Sequence, residues 1–302
     1  MVQVLRMRGV RILLGTTAAV VVSALGFFAW QSFYPVQAGE GWQVKVLHTS
    51  VAKAASLLPL ADGSLLVSRE LDDGRGSIIK ITAQGDRVVL VEGLSKPDGM
   101  VAAEGGWVFS QEGGRAPVSL QRDGQITPLF EGESVQGLWN DGEHLYAIED
   151  RRGNGRLMRY DWRSGQLDVL RSGLSETEGL TRCDDGRLLY TEKAAGKIRA
   201  LSDDGQDPVV VDNLRNPTFL MCDQRGLWIS EDSTHRARLL RIDGDGQRHT
   251  MLTFLKAPQA IVADGRGGYL LAEGGRNRVL QLTPPVTADT AQITSGQPAG
   301  VR

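Results

Sequence analysis

Six glutamates recur along the chain, each closing a short β-rich run: Glu70, Glu112, Glu149, Glu192, Glu231 and Glu273. Their separations are 42, 37, 43, 39 and 42 residues. Before most of these runs stands a Gly turn, such as Asp62-Gly63, Asp141-Gly142, Asp185-Gly186 or Asp264-Gly265. After each comes a polar or Gly-containing loop and a third run, over 78–81, 118–121, 157–160, 198–201, 239–242 and 279–282. A second Gly turn (Asp123-Gly124, Asp204-Gly205) leads to a fourth run in most repeats. Four short strands joined by Asp-Gly turns form an antiparallel meander. One such sheet cannot bury both of its faces, so copies must stack, and a period near forty residues means propeller blades. The expected fold is therefore all-β, a six-bladed β-propeller.

The ends of the repeat region fit a closed ring. The sixth copy supplies three strands and then meets Pro284-Pro285. Ahead of the first copy, residues 43–47 read as a lone strand, and pairing it with 278–283 would close the ring and remove two open edges. The propeller is expected over 42–285, with 286–302 a mobile tail. Residues 1–38 have a different character. Arg6, Arg8 and Arg11 precede an uncharged run over 12–30, a pattern that keeps the N-terminus in the cytoplasm and exports the rest of the chain. Its length reads as a hydrophobic helix anchoring the protein to the inner membrane, although Val36-Gln37-Ala38 has spacing a signal peptidase accepts. Either way the domain works outside the cytoplasm, in the periplasm. A net charge of −2 gives no electrostatic reason to expect nucleic acid.

Counting back from the glutamates exposes a second ring. Thirteen or fourteen residues upstream lie Ser56, Asp98, Gln136, Glu178, Thr218 and Gln259. All six are polar, and each opens an apolar innermost strand, so their side chains should crowd the mouth of the central channel. Asp98 and Glu178 fall two blades apart. Such an all-oxygen set suits a hard divalent ion, Ca²⁺ foremost, or else the residues solvate a wet channel and cap inner-strand ends. The repeated glutamates are expected to be structural, because an active site uses one or two special residues rather than six. His48, His144, His235 and His249 occupy no ring position and show no ligand spacing. Cys183 and Cys222 each lie nine residues before a repeat glutamate. They are two buried thiols unless the strands come close enough, about 5.5 Å between Cα atoms, for a disulfide.

Pro97-Asp98-Gly99-Met100, followed by Ala103-Glu104-Gly105 and another β-run, resembles the senescence-marker-protein/gluconolactonase (regucalcin-like) family, related to strictosidine synthase-like, paraoxonase-like and NHL-type propellers. Thr177-Glu178-Gly179-Leu180 is similar to that family's second motif. The resemblance implies a metal-dependent hydrolase of a lactone or related ester, with Asp98 as ligand and catalytic base and Glu178 as ligand. It implies ligands or substrate contacts at Ser56, Gln136, Thr218 and Gln259. Two family asparagines fall here on Ser56 and Gln259. The alternative is a non-catalytic propeller that binds a small molecule or an envelope protein. A third reading, a quinone-dependent sugar dehydrogenase, rests on the similarity of residues 60–70 to that group's opening blade, but the channel histidine it needs is missing from the ring.

Overall fold

The computed structural model describes residues 2–233 and 236–285, apart from the side chains of residues 2–12, 31 and 32. Two units result, residues 1–36 and 37–302. The first is one helix, α1 (Val2–Phe33), with an uncharged stretch at Leu13–Trp30 that is long and apolar enough to cross a membrane. The tail over 286–302 lies outside the described residues.

The second unit is a six-bladed β-propeller, as the repeat predicts. Its chain opens with β1 (Gln37–Ala38) and β2 (Gln43–His48), which belong to later blades. Blade 1 is β3 (Ala54–Pro59), β4 (Leu65–Arg69), β5 (Gly76–Ile81) and β6 (Arg87–Leu94). Blade 2 is β7 (Pro97–Ala103), β8 (Gly106–Gln111), β9 (Arg115–Arg122) and β10 (Gln125–Glu133). Blade 3 is β11 (Val135–Asn140), β12 (His144–Glu149), β13 (Gly155–Asp161) and β14 (Leu167–Leu174). Blade 4 is β15 (Leu180–Arg182), β16 (Leu188–Glu192), β17 (Lys197–Ala200) and β18 (Val209–Val211). Blade 5 is β19 (Pro217–Asp223), β20 (Gly226–Glu231), β21 (Ala237–Ile242) and β22 (Arg248–Leu255). Blade 6 is β23 (Pro258–Ala263), β24 (Tyr269–Glu273) and β25 (Arg278–Thr283), completed by β2.

The closure is the expected one. β2 lies antiparallel on β25, Gln43 opposite Thr283 and Val46 opposite Leu280. No residue pattern announces β1, which pairs Gln37 with Thr253 and Ala38 with Leu252, so blade 5 has five strands. Between β1 and β2 the chain lays Trp42 edge-on against Trp228, at 5.7 Å between ring centroids, and beside Tyr269. The core lies between blades, where facing strands interdigitate aliphatic residues: Leu66 and Ile78 with Trp107 and Phe109, Val108 with Leu145 and Met158, Ile198 with Ile229 and Leu240. Burial of these facing apolar sides is what makes a stack of sheets stable where a single one is not.

One six-fold feature fixes the repeat residue by residue. Lys53, Lys96, Ser134, Glu176, Asn216 and Ala257 all adopt left-handed backbone, with φ between 43° and 53°. Each carbonyl accepts an N–H from the loop after the second strand of its blade, from Glu70, Glu112, Asp150, Lys193, Asp232 and Gly274 in turn, at 2.8–3.1 Å. This hinge turns the chain from one blade's outer strand into the next channel wall. It also corrects the reading of the six glutamates as one set. Glu149, Glu192, Glu231 and Glu273 are equivalent, but Arg69 and Gln111 take that place on blades 1 and 2, and Glu70 and Glu112 come one residue later.

The four equivalent glutamates are structural, as expected. Glu149 accepts the Glu133 N–H, Glu231 that of Arg215 and Glu273 that of Lys256, each at 2.8–2.9 Å. Each also binds an arginine of the third strand: Arg156, Arg199, Arg238 and Arg278 for Glu149, Glu192, Glu231 and Glu273. Gln111 accepts the Ser95 N–H at 2.7 Å and so does the same work without charge. A buried carboxylate of this kind needs its partners, because an unpaired one costs several kcal/mol.

Cys183 and Cys222 form a disulfide, with Cα atoms 5.0 Å apart. The expectation of two thiols is thereby corrected. The two residues sit at the ends of adjacent inner strands, on blades 4 and 5, where the strands come close enough to meet the distance a disulfide prefers.

Candidate functional site

Two rings surround the channel on the hinge side of the propeller. The inner ring stands two residues after each hinge: Ala55, Asp98, Gln136, Glu178, Thr218 and Gln259. Ser56, read from the sequence as the blade 1 member, falls one step further along. Its N–H donates to the Ser68 hydroxyl oxygen at 2.7 Å, as the Gly99 N–H donates to Ser110 and the Gly179 N–H to Thr191. Ser56 is thus the counterpart of those glycines, and the inner ring is polar on five blades rather than six.

The glycines have a spatial reason. A Cβ on Gly99 would lie 2.1 Å from the Gln136 carbonyl oxygen, on Gly137 2.5 Å from that of Glu178, and on Gly179 2.0 Å from that of Thr218. Neighbouring inner strands approach backbone to backbone here. The Asp-Gly, Gln-Gly and Glu-Gly pairs therefore set a polar side chain at the mouth while leaving room for the next blade.

Asp98 is 1% exposed, and neither carboxylate oxygen has a hydrogen-bond partner among the described residues. Gln136 Oε1, on the next blade, is likewise buried and unpartnered. Burial raises the Asp98 pKa well above the carboxylate range, and the charges of Glu70, Glu112 and Glu178 add to this against the pull of Lys96. Glu178 is also buried, but Lys193 holds it, with Nζ 2.6 Å from Oε1. Burial lifts Glu178 to about 8 even so. The Thr218 hydroxyl is spent on the Ser230 carbonyl at 3.2 Å, while Gln259 is only half-buried and reachable.

The outer ring consists of the residues that donate to the hinges: Glu70, Glu112, Asp150, Lys193, Asp232 and Gly274. Lys96 bridges Glu70, at 3.4 Å, and Glu112. Lys193 reaches Asp232 at 3.4 Å as well as Glu178. Burial raises Glu70, and raises Asp150 to about 6. Of this ring the sequence reading singles out only Glu70 and Glu112, as structural repeat glutamates; it misses the rest of the ring and both lysines. The signal that finds them is the hinge itself, since Lys96 is a hinge residue and Lys193 follows the repeat glutamate of blade 4 directly.

The described residues contain no group of three or more His, Cys, Asp or Glu arranged to hold a metal. The donor set at Asp98 is different in kind. Two buried carboxylate oxygens and one buried amide oxygen, all unpartnered, fit a hard cation with oxygen ligands. His144 and His249 are engaged by turn aspartates, Asp141 and Asp243, away from the mouth, and His48 lies on β2. His235 lies outside the described residues.

No protein-family model matches the chain, and no curated protein resembles it in sequence. Solved structures resemble it in fold. A gluconolactonase from Xanthomonas campestris is similar over 82% of this chain and 91% of its own, with a TM-score of 0.66 and 17% identity. A virginiamycin B lyase from Staphylococcus aureus, solved as an inactive variant with quinupristin, matches 82% of this chain and 99% of its own (TM-score 0.56, 16% identity). A chain of the nidogen/laminin complex matches 68% of this chain and 85% of its own (TM-score 0.56, 15% identity). At such identities the likeness is one of fold, and the fold serves both catalysis and binding.

Proposed function

We propose that this propeller is a hydrolase of a lactone or related ester, that it works with a divalent cation, calcium foremost, and that it acts outside the cytoplasm. The observation that carries the reading is Asp98: a carboxylate fully buried on the inner ring, with both oxygens unpartnered, and with a buried, unpartnered Gln136 Oε1 on the next blade. A buried charge without partners is costly, and such groups are concentrated at sites that bind or react. The gluconolactonase likeness supports the choice of reaction.

Asp98 and Gln136 would hold the cation, with Glu178 the next carboxylate on the ring. When bound, such an ion polarises the carbonyl of the ester. The chain's own residues do the rest. Asp98, ionised, takes a proton from a water whose oxygen attacks the carbonyl carbon; the ring C–O bond breaks, and the leaving alkoxide takes that proton back. Lys193 supplies a fixed positive charge that favours the developing oxyanion. Gln259, half-buried and reachable from solvent, orients the substrate.

The extracytoplasmic setting draws on the helix and the disulfide together. Arg6, Arg8 and Arg11 precede the apolar stretch at Leu13–Trp30, and lasting disulfides belong to oxidising compartments.

A second reading has its own observation. Lys193 on Glu178 and Lys96 between Glu70 and Glu112 are built-in cations, as a metal-free binding platform would have. Elemental analysis of the full chain in detergent separates the two. Near-stoichiometric divalent metal, lost in the Asp98→Asn, Glu178→Gln double variant, supports the hydrolase; no metal after calcium is supplied leaves the platform.

A further inference from the structure

The mouth is more acidic than a single metal ion would need. Asp98 and Glu178 of the inner ring and Glu70, Glu112, Asp150 and Asp232 of the outer ring face two ammonium groups, those of Lys96 and Lys193. Six carboxylates against two lysines leave a formal surplus of four negative charges, and one divalent ion would still leave two. Within this set Asp98, already placed at the cation, and Asp150 touch neither lysine. Glu70 and Glu112 touch Lys96, and Glu178 and Asp232 touch Lys193. The Asp150 backbone donates to its hinge at Ser134, but its half-buried carboxylate has no hydrogen bond and no ion pair among the described residues.

The space before Asp150 is shaped as well. Blade 3, which carries Asp150, faces blade 6 across the ring, and there the outer position is Gly274. On the adjacent blade 1 the inner position is Ala55. Nothing larger than a methyl group projects at these two positions, while Gln259 on blade 6 and Glu70 on blade 1 share that half of the mouth. The unpartnered oxygens of Asp98 and Gln136 and the carboxylate of Asp150 belong to the adjacent blades 2 and 3, on one side of the ring.

We infer that the mouth selects a substrate bearing a cationic group, such as a primary ammonium, and that Asp150 receives that group. This rests on the hydrolase reading for the reaction but not for the recognition. A half-buried carboxylate in a surplus of negative charge attracts an ammonium and repels a carboxylate, and the hydrogen bond formed is charge-assisted.

The test uses the full chain in detergent, loaded with calcium, and three γ-lactones that differ in one substituent: aminomethyl, hydroxymethyl and carboxymethyl. The expected kcat/KM falls in that order, by about tenfold or more from first to last, and the spread narrows as salt is added. Asp150→Asn should lower the ratio of aminomethyl to hydroxymethyl turnover by about tenfold, whereas Asp150→Glu, which keeps the charge, should retain most of it. Equal turnover of the three lactones, or a preference that survives Asp150→Asn, overturns the inference. If no lactone is hydrolysed, the hydrolase reading fails by itself. Calorimetric binding of the same three compounds then decides the recognition: tightest binding of the amine upholds it, and equal or weaker binding of the amine refutes it.

Discussion

Lys193 places one ammonium between carboxylates of two blades, 2.6 Å from Glu178 on blade 4 and 3.4 Å from Asp232 on blade 5. The inner ring, the outer ring and the blade interface meet in that contact. Lys96 repeats the device between Glu70 on blade 1 and Glu112 on blade 2. The mouth is thus cross-linked by charge at two blade junctions, with Asp98 and Gln136 left open between them.

Removing the Lys193 ammonium isolates a buried carboxylate. Lys193→Gln is expected to destabilise the protein by about 1–3 kcal/mol at pH 9 and by less at pH 6, where Glu178 can take up a proton instead. Guanidinium denaturation at the two pH values measures the difference. A penalty independent of pH would mean that Glu178 does not depend on Lys193.

The wild-type protein should itself lose stability as pH rises from 7 to 9 in the absence of divalent metal. Burial lifts Glu178 to about 8, above its value in the unfolded chain, so the folded state holds the extra proton. That contribution is complete below the unfolded value and is lost as pH climbs through 8. His48, held low by burial, acts in the opposite sense but is already neutral at pH 7. Midpoints at pH 7, 8 and 9 check the trend, and Glu178→Gln should flatten it.

Asp98→Asn should separate stability from activity. The substitution removes a buried charge without partners, so Tm is expected to rise by about 2–4 °C, while ester hydrolysis falls by at least about a hundredfold. Thermal unfolding and turnover on one preparation supply both readings. A variant that unfolds at lower temperature would show that the Asp98 carboxylate is held by something other than solvent or cation.

The Cys183–Cys222 bridge closes a loop with a sequence separation of 39 residues. For such a loop, Cys183→Ser with Cys222→Ser should cost about 4 kcal/mol. The unreduced, denatured protein should show no titratable thiol, and the reduced one both cysteines. Thiol present before reduction would refute the pairing.

Gly179 is fixed by space rather than by backbone dihedrals, its missing Cβ leaving room for the Thr218 carbonyl. Gly179→Ala should therefore destabilise by about 3 kcal/mol and disturb Glu178 beside it. Gly153→Ala offers the contrast: a Cβ there meets nothing within 4 Å, although its φ of 72° carries a backbone cost.

Much of this architecture was legible in the sequence because blade repeats carry their turn chemistry with them. The six copies, the closing pair of residues 43–47 with 278–283 and the ring positions of Asp98, Gln136, Glu178, Thr218 and Gln259 all follow from spacing. What spacing could not give was a one-residue slip. Arg69-Glu70 and Gln111-Glu112 present a glutamate at almost the right interval, yet in a strand one step turns a side chain to the opposite face. The slip moves Glu70 and Glu112 from the arginine-bound structural place to the channel mouth, and it moves the blade 1 ring position from Ser56 to Ala55. The hinge that exposes the slip is a backbone conformation shared by Lys, Ser, Glu, Asn and Ala, which no residue pattern announces. The disulfide was hidden for a similar reason, since strand separation at the channel end is not written in the interval between Cys183 and Cys222.

The pairing of β2 with β25 also sets the order of events in biosynthesis. Gln43 leaves the ribosome long before its partner Thr283, and at about 5–20 residues per second the delay is about 10–50 s. For all that time β2 lacks its partner strand, and every blade made meanwhile belongs to an open arc with two bare edges. The last strand translated is the latch, so a chain halted before blade 6 is complete would offer a sticky, unsealed sheet to chaperones and proteases rather than a smaller working propeller.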